Sequence, residues 1–266
     1  NQNLILSTDF TSSSVSTYPR TLPSEEKAKI IAMQYLQKAD LLYRDFSQGD
    51  QKTYLIQITA SGEFREAPSL AEADLVRVDF FRDKYLITVD PALAGSDELG
   101  SSLQETLITE DPETLETNDG SVEVKTYSTK IYNDEPLFGN ITVYVGGTKD
   151  GQANGSYEIF GVEYRNWILG SLPCGTYKLI SPQEAVRKVQ EGEGALVHLL
   201  ENGADQIIPY ETKNVQEMTI LDVSLGYLDT SEKQLFMQPI FVVRGEANFG
   251  NNIYGEFYYY VPAVDY

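Results

Sequence analysis

Short runs of alternating apolar and polar residues, separated by turn residues, constrain the fold of this chain more than any other feature. Three of them occupy 122–132, 141–145 and 156–164, with glycines such as Gly146 and Gly151 between them. A period of two places neighbouring side chains on opposite faces of a strand, so each run predicts a half-buried strand. We therefore expect an antiparallel meander from residue 121 onward.

A short helix is predicted immediately before the last group of strands. Its signals are a capping serine, a proline at the first helical position, a glutamate that completes a capping box and a glycine stop, namely Ser181, Pro182, Glu184 and Gly192. Three alternating runs follow it, at 218–227, 235–245 and 254–264. The narrow apolar stripe of the helix predicts that it packs on this sheet.

The N-terminal half repeats the combination of helix and strands. Ser24 can cap a helix over 24–42, and strands are expected at 52–59, 63–66, 74–82 and 84–89. Between Pro91 and Gly120 there are eight acidic residues and no lysine or arginine, which predicts a solvated acidic loop. This loop lacks the alternating oxygen ligands and glycine of a calcium loop, so calcium binding is the less favoured alternative.

These elements predict an α+β chain of antiparallel β-sheets, each packed by a short helix. We divide it into an N-terminal tether or arm over 1–23, an α+β unit over 24–120 with the acidic loop at 90–120, and a β-rich α+β unit over 121–266. The tether is predicted because residues 7–23 are rich in serine and threonine.

Charge excludes several classes of partner. The chain has 20 basic and 40 acidic residues and a formal charge of −20, which repels phosphate backbones and anionic lipids. We therefore predict no nucleic-acid partner. No apolar run is long enough to span a bilayer, and the chain begins at Asn1, so we expect membrane attachment only through a missing N-terminal anchor. The expected location is the extracytoplasmic surface of a bacterium.

A single histidine and a single cysteine limit the available chemistry. Structural zinc and an intrachain disulfide both need more such residues than His198 and Cys174 provide. His198 lies in an apolar run, which predicts a partly buried ring with a hydrogen-bond partner. Cys174 has no neighbouring cation in sequence and is interpreted as incidental. We therefore predict no catalytic, metal-binding or cofactor-binding residues.

The C-terminal part carries a resemblance to known families. The residues Ser181-Pro-Gln-Glu-Ala-Val, a strand ending at Tyr227, Pro239 within the next strand, and the run from Tyr258 to Ala263 follow one another along 176–264. This plan resembles PepSY-type and YycI-type extracytoplasmic domains. The resemblance implies a short helix on an antiparallel sheet, repeated twice, and a binding or regulatory role. It carries over no catalytic residues.

The predicted function is a non-enzymatic binding, regulatory or scaffolding module whose partner is a protein, a peptide or a component of the cell envelope. The candidate partner-binding residues are Trp167, Tyr258 and Tyr260, since aromatic side chains anchor many interfaces. An alternative is a surface or filament subunit that assembles through its N-terminal arm, so an oligomer is possible.

A second alternative is a glycoside hydrolase that uses two carboxylates, with Trp167 stacking on a sugar. The candidate carboxylates lie on predicted strands or at their ends, and they are Asp79, Glu158, Glu163, Asp222 and Glu256. A chain with 40 acidic residues brings some carboxylates together by chance, so this alternative is the less favoured one.

Overall fold

The computed structural model describes residues 2–7, 21–82, 85–89, 108–109, 113–117, 120–148, 156–167, 177–207, 214–232 and 234–265. Within these residues the chain forms three helices: α1 (Glu25–Lys38), α2 (Arg44–Ser47) and α3 (Pro182–Gln190). The strands are β1 (Gln2–Ser7), β2 (Gln51–Ile58), β3 (Phe64–Glu66), β4 (Leu75–Phe80), β5 (Tyr85–Val89), β6 (Ile108–Thr109), β7 (Glu113–Thr117), β8 (Gly120–Asn133), β9 (Ile141–Thr148), β10 (Tyr157–Asn166), β11 (Ala195–Glu201), β12 (Glu217–Asp229), β13 (Gln238–Gly250) and β14 (Ile253–Pro262).

The first sheet has the strand order β1-β10-β9-β4-β2-β3 and is covered on one face by α1. Ser24 caps this helix by accepting a hydrogen bond from the amide of Lys27. Ala28, Ala32 and Leu36 face the sheet and are fully buried against it. The helix ends at Lys38, four residues before the predicted end at 42, because Asp40 adopts a left-handed conformation with φ of 56°.

The second sheet has the order β11-β14-β13-β12-β8-β5, with β6 and β7 also pairing with β8. The predicted helix and three following strands are confirmed. Ser181 caps α3, Pro182 occupies the first helical position, and Gly192 beyond its end has φ of 81°. Ala185 packs on Phe241 and its neighbours in a buried cluster. Pro239 lies at the start of β13, a position at which a strand tolerates a residue without an amide hydrogen.

The mixed α+β class is therefore confirmed, with mainly antiparallel sheets. The prediction of a meander from residue 121 is wrong for its first two strands, because β8 and β9 lie in different sheets. β8 lies in the second sheet, where it pairs in parallel with β12, whereas β9 and β10 form an antiparallel pair in the first sheet. Alternation predicts which face of a strand is buried but does not select its partner.

Sheet membership also departs from the division predicted at residue 120. β5 leaves the first sheet for the second, and β9 and β10 return to the first. Residues 2–7, predicted as part of a tether, form β1 against β10 of the same chain. Within the predicted acidic loop, β7 pairs with β8. The rest of that loop, apart from β6 and Gly120, lies outside the described residues.

The two sheets meet at a buried polar junction formed by strand ends. Arg82 follows β4 and donates from Nε to Asp229 Oδ2 at 2.9 Å, from Nη2 to Asn166 Oδ1 at 2.9 Å, and to the Trp167 carbonyl at 3.0 Å. Asn140 donates to the same Asp229 oxygen at 2.9 Å. The junction thus joins the ends of β4, β9 and β10 to the end of β12.

Candidate functional site

The candidate site is an exposed area of the second sheet, on the face opposite α3. The helix covers the face that carries Leu225, Phe241 and Val261. Alternate residues of the same strands point the other way, and towards one end of the sheet they remain accessible. We call this area the open face, and it consists of Glu217, Thr219, Asp222, Arg244, Glu246, Asn248, Tyr254, Glu256 and Tyr258.

The open face has a regular arrangement because antiparallel pairing sets its residues in rows across the strands. One row runs from His198 through Tyr258 and Arg244 to Asp222, crossing β11, β14, β13 and β12. The imidazole of His198 stacks on the ring of Tyr258, with centroids 4.7 Å apart and planes inclined by 26°. Arg244 donates from Nε to Asp222 Oδ2 at 3.1 Å. This row marks one limit of the open face, because the next residues on the same face belong to a buried cluster.

The next row places two carboxylates directly opposite each other, Glu246 on β13 and Glu256 on β14. Glu256 has partners of its own: its Oε1 lies 3.0 Å from His198 Nε2, and its Oε2 accepts from the Tyr258 hydroxyl at 3.1 Å. The Glu246 side chain is exposed to solvent. The row therefore presents one anchored carboxylate beside one that is accessible.

A bulge interrupts β12 next to these rows. The register shifts between Ile220 and Asp222, so that Leu221 is the extra residue, and it is 72% exposed. On the opposite face of the sheet, where Phe257 packs, the carbonyl oxygen of Thr219 lies over Gly245 on β13. A Cβ at position 245 would lie 2.0 Å from that oxygen, so only glycine fits there.

Three ionisable groups of the open face have pKa values displaced from their ordinary ones. The hydrogen bond from His198 lowers the pKa of Glu256 against the opposing effect of burial, and the Tyr258 hydroxyl and the charge of Lys52 on β2 lower it further. Burial, followed by the charge of Glu256, raises the pKa of Tyr258 to about 12. The hydrogen bond to Asp222 raises the pKa of Arg244. At neutral pH the face therefore carries fixed charges and a neutral phenol.

Among the predicted partner-binding residues, only Tyr258 lies on the open face, where it is half-buried. Tyr260 is buried, with 6% of its surface exposed, and its hydroxyl donates to the Asn133 carbonyl at 2.8 Å. Its proposed partner-binding role is not retained. Trp167 is half-buried at the end of β10, where its indole donates to the Thr230 carbonyl at 3.0 Å. The Trp167 bond therefore joins the two sheets, whereas the Tyr260 bond lies within the second sheet, between β14 and the end of β8.

The prediction for His198 is confirmed, since the ring is buried and bonded to Glu256. Cys174 lies outside the described residues.

In the described part of the chain, no group of three or more histidine, cysteine, aspartate or glutamate side chains is arranged to hold a metal ion. None of the helices in that part is both long and apolar enough to cross a membrane.

The five carboxylates considered for sugar hydrolysis fall on two different sheets. Asp79, Glu158 and Glu163 belong to the first sheet, on β4 and β10. Asp79 is fully buried, accepts from Arg77 Nε at 3.0 Å and from Thr142 at 2.6 Å, and burial raises its pKa. Asp79 therefore forms a buried ion pair with Arg77.

Asp222 and Glu256 belong to the open face, and β13 lies between their strands. Each has its own partner, Arg244 for Asp222 and His198 for Glu256. The structure thus does not gather the five candidate carboxylates into one site.

A shallow cleft at the junction of the sheets is a second feature that could hold a ligand. It is lined mainly by polar residues, including Asp134, Arg165 and Ser231. The Ser231 hydroxyl donates to Asp134 at 2.8 Å, and Arg165 is paired with Glu135 at 3.0 Å. These polar groups already bond to one another across the cleft.

Sequence reasoning missed Arg244, Glu246 and Tyr254 as members of the site. The alternation along β13 and β14 could have indicated them, because polar residues at every second position alternate with Gly245, Ala247 and Phe257. The pairing register was still needed to place Glu246 opposite Glu256. No protein-family model matches the chain, and neither the curated proteins nor the solved structures include one similar enough to count as a match.

Proposed function

We propose that this chain is a non-enzymatic binding module that recognises a protein or peptide through the open face. The observation that carries the proposal is an exposed area of sheet on which aromatic, cationic and anionic side chains are held in rows by strand pairing. Interfaces are enriched in tyrosine and arginine presented on a fixed scaffold, and Tyr254, Tyr258 and Arg244 supply these groups.

The form of the surface favours a macromolecular partner over a small molecule. The open face is built from three adjacent strands, which give it extended length, whereas the cleft at the junction is shallow and its polar groups are bonded to one another. An extended surface suits a partner that makes many shallow contacts.

As part of the same proposal, the module acts outside the membrane, attached through its N-terminal side, as in the PepSY-type and YycI-type domains that it resembles. The helix on a three-stranded sheet, α3 on β12 to β14, supports that resemblance. The filament alternative gains no support from β1, which pairs with β10 of its own chain.

The test is a selection of binders from a library of random peptides displayed on phage, with the full chain as bait. The proposal predicts that selected peptides lose affinity for Tyr254→Ser, which removes an exposed ring from the open face. They should bind Tyr177→Ser normally, because that ring is 60% exposed but lies outside the open face. Peptides that lose affinity for Tyr177→Ser but not for Tyr254→Ser would place the binding surface elsewhere.

A further inference from the structure

The sign of the charge on the open face limits what can bind there. The open face carries four carboxylates, those of Glu217, Asp222, Glu246 and Glu256, and one guanidinium, that of Arg244, which is a formal charge of −3. Lys52 on β2 of the first sheet is a further cation whose charge acts on Glu256. The whole chain carries −20. Anionic partners such as nucleic acids and acidic lipid surfaces are repelled by such a field, whereas a cationic partner is steered towards it.

The row of Glu246 and Glu256 adds a local reason for a cationic partner. Directly paired residues on antiparallel strands have Cβ atoms about 4.5–5.5 Å apart, and like charges in that arrangement are destabilising. Arg244 lies one row away, where its guanidinium is bonded to Asp222. A cationic side chain that enters between the two glutamates would remove this repulsion.

Two phenol rings lie on either side of Glu256 along the same strand. Tyr254 and Tyr258 are each two residues from Glu256, so all three side chains point to the open face. Tyr254 is 39% exposed, and the Tyr258 ring is supported from behind by the His198 imidazole. Ammonium and guanidinium groups are attracted both to carboxylates and to the faces of aromatic rings. Lysine and arginine side chains fit this combination.

A second copy of the chain fits the same surface poorly. Contact between two open faces would bring a charge of −3 against an equal charge, on molecules that each carry −20. Like-charge contacts at an interface cost affinity and suppress wrong partners.

From these observations we infer that the open face binds a basic, extended segment of a partner protein, with a lysine or arginine side chain inserted between Glu246 and Glu256. The inference rests on the proposed function and specifies the chemistry of its partner. A strand-like segment laid along β13 presents every second side chain to the face, so the segment carries its basic residues at alternate positions.

The experiment uses three synthetic peptides of about ten residues, the length of a long strand, in which threonine alternates with lysine, glutamine or glutamate. Binding of each peptide to the full chain is measured by fluorescence anisotropy at low and at physiological salt. The lysine peptide should bind most tightly, and more weakly as salt rises. Glu246→Gln and Glu256→Gln should each weaken it about two- to fivefold, the range of one exposed ion pair.

The matched control is Glu26→Gln, which removes the same charge from α1 on the other sheet. It should leave the affinity unchanged. An equal loss in Glu26→Gln would mean that net charge alone attracts the peptide, and would overturn the inference. Preferred binding of the glutamine or glutamate peptide, or binding of none of the three, would also overturn it. The phage selection with Tyr254→Ser decides the proposed function separately, because that library includes neutral and acidic peptides.

Discussion

Arg82 and Asp229 form an ion pair that joins the two sheets, with Nε and Oδ2 2.9 Å apart and both side chains almost completely buried. Arg82 lies two residues beyond the end of β4, and Asp229 is the last residue of β12. The ring of Phe46 covers the guanidinium at 5.1 Å, and Asn140 and Asn166 supply further hydrogen bonds. This charge pair, which water does not reach, is thus one of the contacts that fix the relative position of the sheets, together with the bond from Trp167 to Thr230.

Asp229→Ala should destabilise the protein strongly. It leaves the Arg82 guanidinium buried without its carboxylate, and breaking a buried pair in this way costs about 3–5 kcal/mol. The free energy of unfolding from urea titration measures the effect. Trp167, the single tryptophan, bonds to Thr230 next to Asp229, so its fluorescence reports on the junction.

Arg165→Ala provides the control for this prediction. Arg165 pairs with Glu135 at 3.0 Å, but both side chains are substantially exposed. An exposed pair contributes about 0–1 kcal/mol. If Asp229→Ala cost no more than Arg165→Ala, the buried pair would not hold the sheets together.

Glu246→Gln should increase stability. The substitution removes a negative charge that lies directly opposite Glu256, and cross-strand pairs of this kind contribute roughly 0.2–1 kcal/mol. The gain should appear in thermal unfolding at low salt and shrink as salt screens the remaining charges. Glu26→Gln should show no gain, because Glu26 is paired with Lys29 at 2.9 Å. A Glu246→Gln protein less stable than the parent would argue against repulsion in this row.

Glu256→Gln should flatten the dependence of stability on pH in the acidic range. The pKa of Glu256 is lowered from 4.5 in the folded state, so its carboxylate contributes stability that is complete above the unfolded pKa. That contribution is lost as pH falls through the lower folded value. The measurement is the difference in unfolding free energy between the two proteins from pH 7 to pH 3. A constant difference across that range would contradict the lowered pKa.

Tyr260→Phe should destabilise the protein by about 0.5–1.5 kcal/mol, the net value of one hydrogen bond, since the Asn133 carbonyl loses its donor. Tyr254→Phe is the matched control, because its ring is exposed. Chemical denaturation of both variants compares them directly. Equal effects would mean that the hydroxyl of Tyr260 does not link β14 to the end of β8.

The helices and the C-terminal strands could be predicted because their signals are local. Ser181, Pro182 and Gly192 each satisfy a backbone requirement of the helix end at which they lie. The alternation of polar and apolar residues in β12, β13 and β14 predicts that these segments are extended and which of their residues share a face. The buried position of His198 followed from its apolar neighbours.

The pairing of distant strands could not be predicted, because alternation carries no information about the partner of a strand. Arg77 and Asp79 show the same limit, since charged residues at alternate positions normally face solvent. Both are fully buried, because Phe138 lies 4.2 Å from the Arg77 guanidinium, and they neutralise each other. The open face depends in the same way on the register of β13 and β14.

The passage of the chain from the first sheet to the second and back has a consequence for its synthesis. β4 emerges from the ribosome before β9, its neighbour on one side, and residues 81–140, which include β5 and β8 of the second sheet, separate them. Because synthesis proceeds at roughly 5–20 residues per second, this edge of β4 stays unpaired for several seconds before β9 is made. During that interval an apolar strand edge is open to pairing with other chains, so productive folding in the cell depends on shielding this edge until β9 arrives.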